Sequence, residues 1–213
     1  MSMTRINIDI VSDVVCPWCV IGYGRLQAAL ANFVTELDVN IVWHPFELNP
    51  NMSIEGVNLR SHLSVKYGTT LEGSIKARAM LTEEGKKVGF TFNYFDEMKM
   101  LNTHQCHQLL YWAKESDLQN QLAETLFQHF FSNRGEFTES ELVNVAEKVG
   151  LNSSQATSVL ANNSYSEEVK LIEDNWQQRG IHGVPLFIFN GEQALSGAQE
   201  VATFERVLNQ YLK

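Results

Sequence analysis

Apolar positions alternate along three stretches of this chain and recur at helical spacing along most of the remainder. From Arg5 to Ser12, Ile6, Ile8 and Ile10 share one face, the two-residue period of a strand. A helical pattern follows from about Val20 to Phe33. Over Val39 to Phe46, Val39, Ile41 and Trp43 alternate against Asn40, Val42 and His44, which predicts a second strand stopped by Pro45 and Pro50. From Ser53 to Arg179 the pattern is helical, with a short extended piece near Phe90 to Phe92.

Local signals sharpen the helical block. Ser116-x-x-Gln119, Thr138-x-x-Glu141 and Ser164-x-x-Glu167 read as capping boxes. Gly89, Gly150 and Gly180 stand where left-handed glycines end helices. Leu118, Leu122, Leu126 and Phe130 recur every fourth residue, with Phe127 and Phe131 beside them, a stripe suited to core packing. Strand character returns at Leu186 to Phe189 and again at Ala194 to Leu195, and Asn190-Gly191 between them is a hairpin signal. Gly197 precedes a last amphipathic helix with Val201, Phe204, Val207, Leu208 and Tyr211 on its apolar side. The element order predicts an α/β chain in which residues 1–52 and 180–213 build a thioredoxin fold, split by an α-helical insertion over residues 53–179. No Gly/Ser- or Pro-rich linker flanks the insertion, so it is not a tethered second domain.

Composition narrows the function classes. With 213 residues, 44% hydrophobic and 19% charged, the chain is long enough for a substantial core. A formal charge of −9 argues against nucleic-acid partners, whose phosphates demand clustered Lys and Arg. No apolar run is long enough to span a bilayer. The start, Met1-Ser2-Met3-Thr4-Arg5, lacks the pattern of a secretory signal, and three cysteines are too few for a disulfide scaffold. These readings favour a chain working in the reducing cytoplasm.

The candidate chemistry is Cys16-Pro17-Trp18-Cys19, between the first strand and the first helix. A helix N-terminus offers unpaired N–H groups and the positive end of the macrodipole, both favouring a thiolate. Pro17 suits the first helical position. The spacing leaves Cys19 one turn along, placed to attack a mixed disulfide at Cys16. Cys16 is thus the candidate nucleophile and Cys19 the resolving thiol. The competing reading, structural zinc, would need two further ligands from Cys106, His104 and His107, which sit within one helical turn at irregular spacing. Dithiol chemistry with no metal is the better fit. Cys106 itself reads either as a thiol activated in a first helical turn, if Asn102 caps that helix, or as a small buried residue. His44 and His182, near strand ends flanking the proposed site, are candidates for proton transfer.

Several segments together resemble the DsbA-like thioredoxin superfamily, and within it the FrnE-like branch of cytoplasmic proteins. They are Ser12-Asp13-Val14-Val15 running into the cysteine motif, Trp43 through Pro50, Asn102-Thr103 with Leu109 through Ala113, and Gly183-Val184-Pro185 through Leu195-Ser196-Gly197-Ala198-Gln199. The resemblance implies a thiol–disulfide oxidoreductase or isomerase acting on protein or peptide thiols and disulfides. It also implies that Val184-Pro185 is a cis bond facing the cysteines, with the Val184 backbone free to pair with an extended peptide. Pro17, Trp18, Val184, Pro185, Asn102 and Thr103 are the expected substrate contacts. Trp18 is either an exposed apolar platform or a ring packed on the insertion. No bound cofactor is expected, and glutathione is a candidate reductant or co-substrate. Relatives that are kappa-class glutathione transferases or 2-hydroxychromene-2-carboxylate isomerases carry serine at the first cysteine position, and this chain keeps both thiols. It departs from thioredoxin in having Ile10 where thioredoxins place a buried carboxylate, which leaves Asp13 as the nearest candidate for that role, with a helix-entry or turn role as the alternative. Two rival functions stand beside the redox one: a glutathione-dependent transferase or isomerase, and a non-enzymatic redox-sensitive binding protein.

Overall fold

Ile6, Ile8 and Ile10 are fully buried on β1 (Thr4–Ser12), as their alternation requires. A computed structural model describes residues 3–212 of the chain; Met1, Ser2 and Lys213 lie outside the described residues. β1 pairs in parallel with β2 (Leu37–Pro45) and antiparallel with β5 (Leu186–Phe189), which continues through a hairpin to β6 (Gln193–Ser196). The sheet order is β2-β1-β5-β6.

Register decides which face each side chain takes. Ile10 pairs with Phe187 and Ile8 with Phe189, so these residues share one face. That face is covered by α1 (Pro17–Leu30) and α9 (Val201–Leu208). Gly22 permits the close approach: a Cβ there would meet the Phe187 ring at 3.0 Å and the Ala198 Cα at 3.3 Å. On the opposite face Val11, Phe46 and Leu186 form a smaller cluster against Trp176 and Ile181. The hairpin turns on Asn190 and Gly191, both at positive φ (50° and 71°), a conformation Asn and Gly tolerate best.

The block between β2 and β5 holds α2 (Leu59–Tyr67), α3 (Leu71–Lys87), α4 (His104–Ala113), α5 (Gln119–Phe127), α6 (Glu139–Lys148), α7 (Ser153–Ala161) and α8 (Ser166–Gln178). It also contains a short antiparallel pair, β3 (Val57–Asn58) with β4 (Lys99–Met100). The extended piece expected at Phe90 to Phe92 forms no strand. Phe90 and Phe92 instead pack against each other, ring centroids 4.9 Å apart, and against Phe131. The predicted stripe is core, with Leu122, Leu126, Phe127, Phe130 and Phe131 all buried, and α5 widens into a π-helical turn at Gln128–Ser132.

Of the three capping boxes, only one forms. Thr138 Oγ1 accepts from the Glu141 N–H at the start of α6. Ser116 lies in a 3-10 turn before α5, and Gln119 has a different task. Its Oε1 accepts from the Trp43 N–H at 2.9 Å, while its Nε2 donates to the carbonyls of Trp43 (2.9 Å) and Leu110 (3.0 Å). It thereby satisfies the outer edge of β2, which the insertion buries; leaving those peptide groups unpaired would cost more than forgoing a cap. Likewise α8 starts two residues after Ser164, without a side-chain cap. Gly89, Gly150 and Gly180 do follow their helices at positive φ.

Candidate active site

Cys16 is the N-cap residue of α1, in extended conformation, with Pro17 opening the first turn. The β1–α1 loop holds it in place: the Cys16 N–H donates to the Asp13 carbonyl at 3.0 Å, and the Cys19 N–H to the Cys16 carbonyl at 3.1 Å. The Trp18 N–H has no partner among the described residues and lies at the positive end of the helix dipole. From the other half of the chain comes Val184, whose peptide bond to Pro185 is cis. Cys16 Sγ lies 3.8 Å from the Val184 carbonyl oxygen. The Val184 N–H has no hydrogen-bond partner among the described residues.

Both thiols are buried, Cys16 retaining 4% exposure. Cys19 is completely enclosed. Burial pushes its thiol well above the ordinary range, and its hydrogen bond to Cys16 and the Cys16 charge push the same way; the Ser12 side chain and the Asp13 backbone oppose them. Cys19 is therefore held as a proton donor toward Cys16. Trp18, 38% exposed, projects from the first turn rather than packing into the insertion. All three cysteines are free thiols.

Beneath the loop lies a buried polar seam joining the sheet to the insertion. Asp13 is fully enclosed; its Oδ2 accepts from the Leu48 N–H at 2.8 Å, and its Oδ1 lies 3.5 Å from His107 Nε2. Glu47 Oε1 lies 2.7 Å from His104 Nδ1, whose Nε2 lies 2.8 Å from Ser166 Oγ. Burial tends to lower His107, but the hydrogen bond and charge of Asp13, with Glu173 and Glu47, outweigh it and raise the imidazole above its ordinary value. Glu173 is pushed up to about 7, by burial first and then by Glu47 and Asp13, against the pull of His107 and His104.

This geometry sets the comparisons with known proteins. Residues 7–209 match the family described as the DSBA-like thioredoxin domain. The chain belongs to that family. This DSBA-like chain is 27% identical over 208 residues to the uncharacterised protein YwbO of Bacillus subtilis, covering 96% of each. It is 29% identical to a probable DsbA oxidoreductase from Streptomyces coelicolor, covering 97% of this chain and 89% of that one at a TM-score of 0.90. The cytosolic disulfide reductase DsbM of Pseudomonas aeruginosa, solved also with GSH, shares the fold at 16% identity and a TM-score of 0.64, with 97% and 98% of the two chains covered.

Not every expected site residue of the DSBA-like chain reaches the thiols. Cys16, Cys19, Pro17, Trp18, Val184 and Pro185 gather at one place, brought together by β1 lying between β2 and β5. Thr103 is buried, 3% exposed, and among the described residues makes no hydrogen bond to either thiol of the motif. Asn102 spends its side chain on the Met52 carbonyl and the His104 N–H, both 3.0 Å, and borders a groove with Glu47 and His104 instead. α4 begins after Thr103, so Asn102 is not its N-cap. Cys106 is fully enclosed, and burial with the Asp13 charge pushes its thiol well up, so it is the bland reading of this residue that fits. His44 pairs with Asp9, Nε2 to Oδ1 at 2.7 Å, and packs edge-on to Trp176; His182 is exposed. Sequence reasoning missed Ser74, Arg78 and Tyr94, which line a cavity behind the motif; nothing in their spacing marks them.

Proposed function

We propose that this chain is a cytoplasmic dithiol–disulfide oxidoreductase acting on protein or peptide substrates through Cys16 and Cys19. The observation that carries the proposal is the placement of Cys16 Sγ at a helix N-terminus, 3.8 Å from the Val184 carbonyl, with the enclosed Cys19 behind it. An extended substrate pairs with the free Val184 N–H and is brought alongside the outer thiol. The Cys16 thiolate attacks one sulfur of the substrate disulfide, forming a mixed disulfide and releasing the other sulfur as a thiolate, which takes up a proton. Cys19 then gives up its proton and attacks Cys16 Sγ. The substrate leaves as a dithiol, and the enzyme holds a Cys16–Cys19 disulfide. Serine and backbone hydrogen bonds from Ser12 and Asp13 favour the Cys19 thiolate at that moment. A thiol reductant such as glutathione returns the pair to the dithiol form.

Turnover of insulin disulfides with glutathione tests this reading. Wild-type protein should accelerate insulin reduction and Cys16→Ser should not. Equal rates for wild type and Cys16→Ser would leave the proposal without support.

A further inference from the structure

On the insertion side of the active-site loop, a cavity of about 170 Å³ lies against Val15 and Pro17, the two neighbours of Cys16. One ordered water needs only about 10–15 Å³, so the space is large enough for a molecule. Its walls are mainly apolar, with Leu59, Leu63, Leu81, Met100, Phe130 and Phe131 among them. Four polar side chains share the lining, Thr69, Ser74, Arg78 and Tyr94, and the last three carry unpartnered atoms. Much of their hydrogen-bonding capacity is unused. Ser74 Oγ, Tyr94 Oη, and Arg78 Nε and Nη2 are all buried without a hydrogen-bond partner.

Arg78 is the informative member. Its side chain makes one hydrogen bond, from Nη1 to the Phe95 carbonyl at 3.2 Å, and its guanidinium sits 5.6 Å over the Tyr94 ring. No carboxylate lies within ion-pair distance among the described residues; the nearby Asp96 pairs with Arg60 at 2.8 Å. Leaving two nitrogens of the Arg78 guanidinium buried without a partner is costly in a low dielectric. Burial, and then the Arg60 charge, pull its pKa down. Burial pushes the Tyr94 phenol up against the pull of the Arg78 charge, with the Cys16 charge adding to the rise, so it remains a donor. A guanidinium, a phenol and a serine hydroxyl lining one apolar cavity suit a group that only accepts, and a carboxylate does so with charge-assisted bonds.

We propose that this cavity binds a small organic acid with an apolar body, its carboxylate on Arg78, Tyr94 and Ser74 and its body against Val15 and Pro17. The donor atoms are fully buried in their present rotamers, so the acid reaches them with a side-chain shift in the cavity wall. The apolar lining distinguishes this site from one for inorganic anions. Binding stands on the cavity and these donors alone and does not depend on the exchange reading above.

Calorimetric titration of the reduced protein with 3-phenylpropionate, 3-phenylpropanamide and inorganic phosphate tests the site. The acid should bind about tenfold or more tightly than the amide, and phosphate should show no saturable binding. Arg78→Met should remove about tenfold of the acid's affinity and leave the amide's unchanged. Tyr94→Phe, which deletes one hydroxyl, should weaken the acid severalfold and serves if Arg78→Met does not fold. Bound acid should slow alkylation of Cys16 by iodoacetamide. Titration of the Cys16→Ser/Cys19→Ser protein, which cannot exchange disulfides, should give the same affinity, so a failed insulin assay does not bear on this site. No saturable binding of the acid, equal binding of acid and amide, phosphate binding as tightly as the acid, or an acid affinity indifferent to both variants would overturn it.

Discussion

Cys16 Sγ and the Val184 carbonyl oxygen lie 3.8 Å apart across 168 residues of chain. β1 and β5 are direct neighbours in the sheet, so the loop leaving one and the loop entering the other meet at the same end. Both thiols are buried, but Cys16 keeps 4% exposure while Cys19 has none, so in the proposed exchange Cys16 is the thiol an incoming peptide would meet. Iodoacetamide should therefore label Cys16 before Cys19 or Cys106, whose thiols burial pushes up. Cys19→Ser should accumulate a mixed disulfide with a peptide disulfide, visible by intact mass. Preferential labelling of Cys19, together with activity retained by Cys16→Ser, would reverse the assignment.

Gln119→Ala should be severely destabilising, because the residue is buried and fully hydrogen-bonded. It removes three hydrogen bonds to the backbone of Trp43 and Leu110 and leaves buried peptide groups unpaired. The expected cost is about 2–4 kcal/mol, read from urea unfolding. A loss below about 0.5 kcal/mol would show that water replaces the amide at that edge.

Stability should fall as pH rises from weakly acidic to neutral. Glu173, raised to about 7, and His107, raised above 6.5, both bind protons more tightly in the folded chain than in the unfolded one. Their contribution is complete below the unfolded values. For Glu173 it is lost between pH 4.5 and about 7, and His107 extends the loss above 6.5. The Glu173 part is on the order of 2 kcal/mol. Urea midpoints between those limits should decline in the wild type and decline less in Glu173→Gln. Parallel profiles for the two proteins would remove Glu173 as the cause.

Asn102→Ala should act on stability rather than on substrate handling. Its amide bridges the Met52 carbonyl and the His104 N–H, and losing both bonds should cost about 1–2 kcal/mol. The KM for an insulin or peptide disulfide should stay unchanged. A rise in KM with unaltered unfolding would restore Asn102 to the binding surface.

Periodicity and motif were enough to identify much of this chain. The alternation in β1 and β2, the Asn190-Gly191 turn and the terminal glycines of three helices are local properties, set by side-chain period and allowed φ. So is the position of Cys16 at a helix start, because Pro17 and the preceding strand define it within a few residues. Capping boxes misled where a tertiary need took precedence: Gln119 was drawn to the β2 edge, a demand that exists only once the insertion covers it. The faces of Asn102 and Thr103 were equally illegible, since burial depends on which helices lie above them.

What the sequence determined alone is the pair of thiols, the order of elements around them and the division of the sheet by a helical block. Tertiary structure decided which partner each reactive group meets. Asp13 finds His107, Cys16 finds Val184, and Arg78 finds Tyr94 and a cavity without a carboxylate. Such pairings arise between segments distant in sequence, and their energies come from desolvation and charge in a shared interior. Neither term has a value until the chain has closed around it.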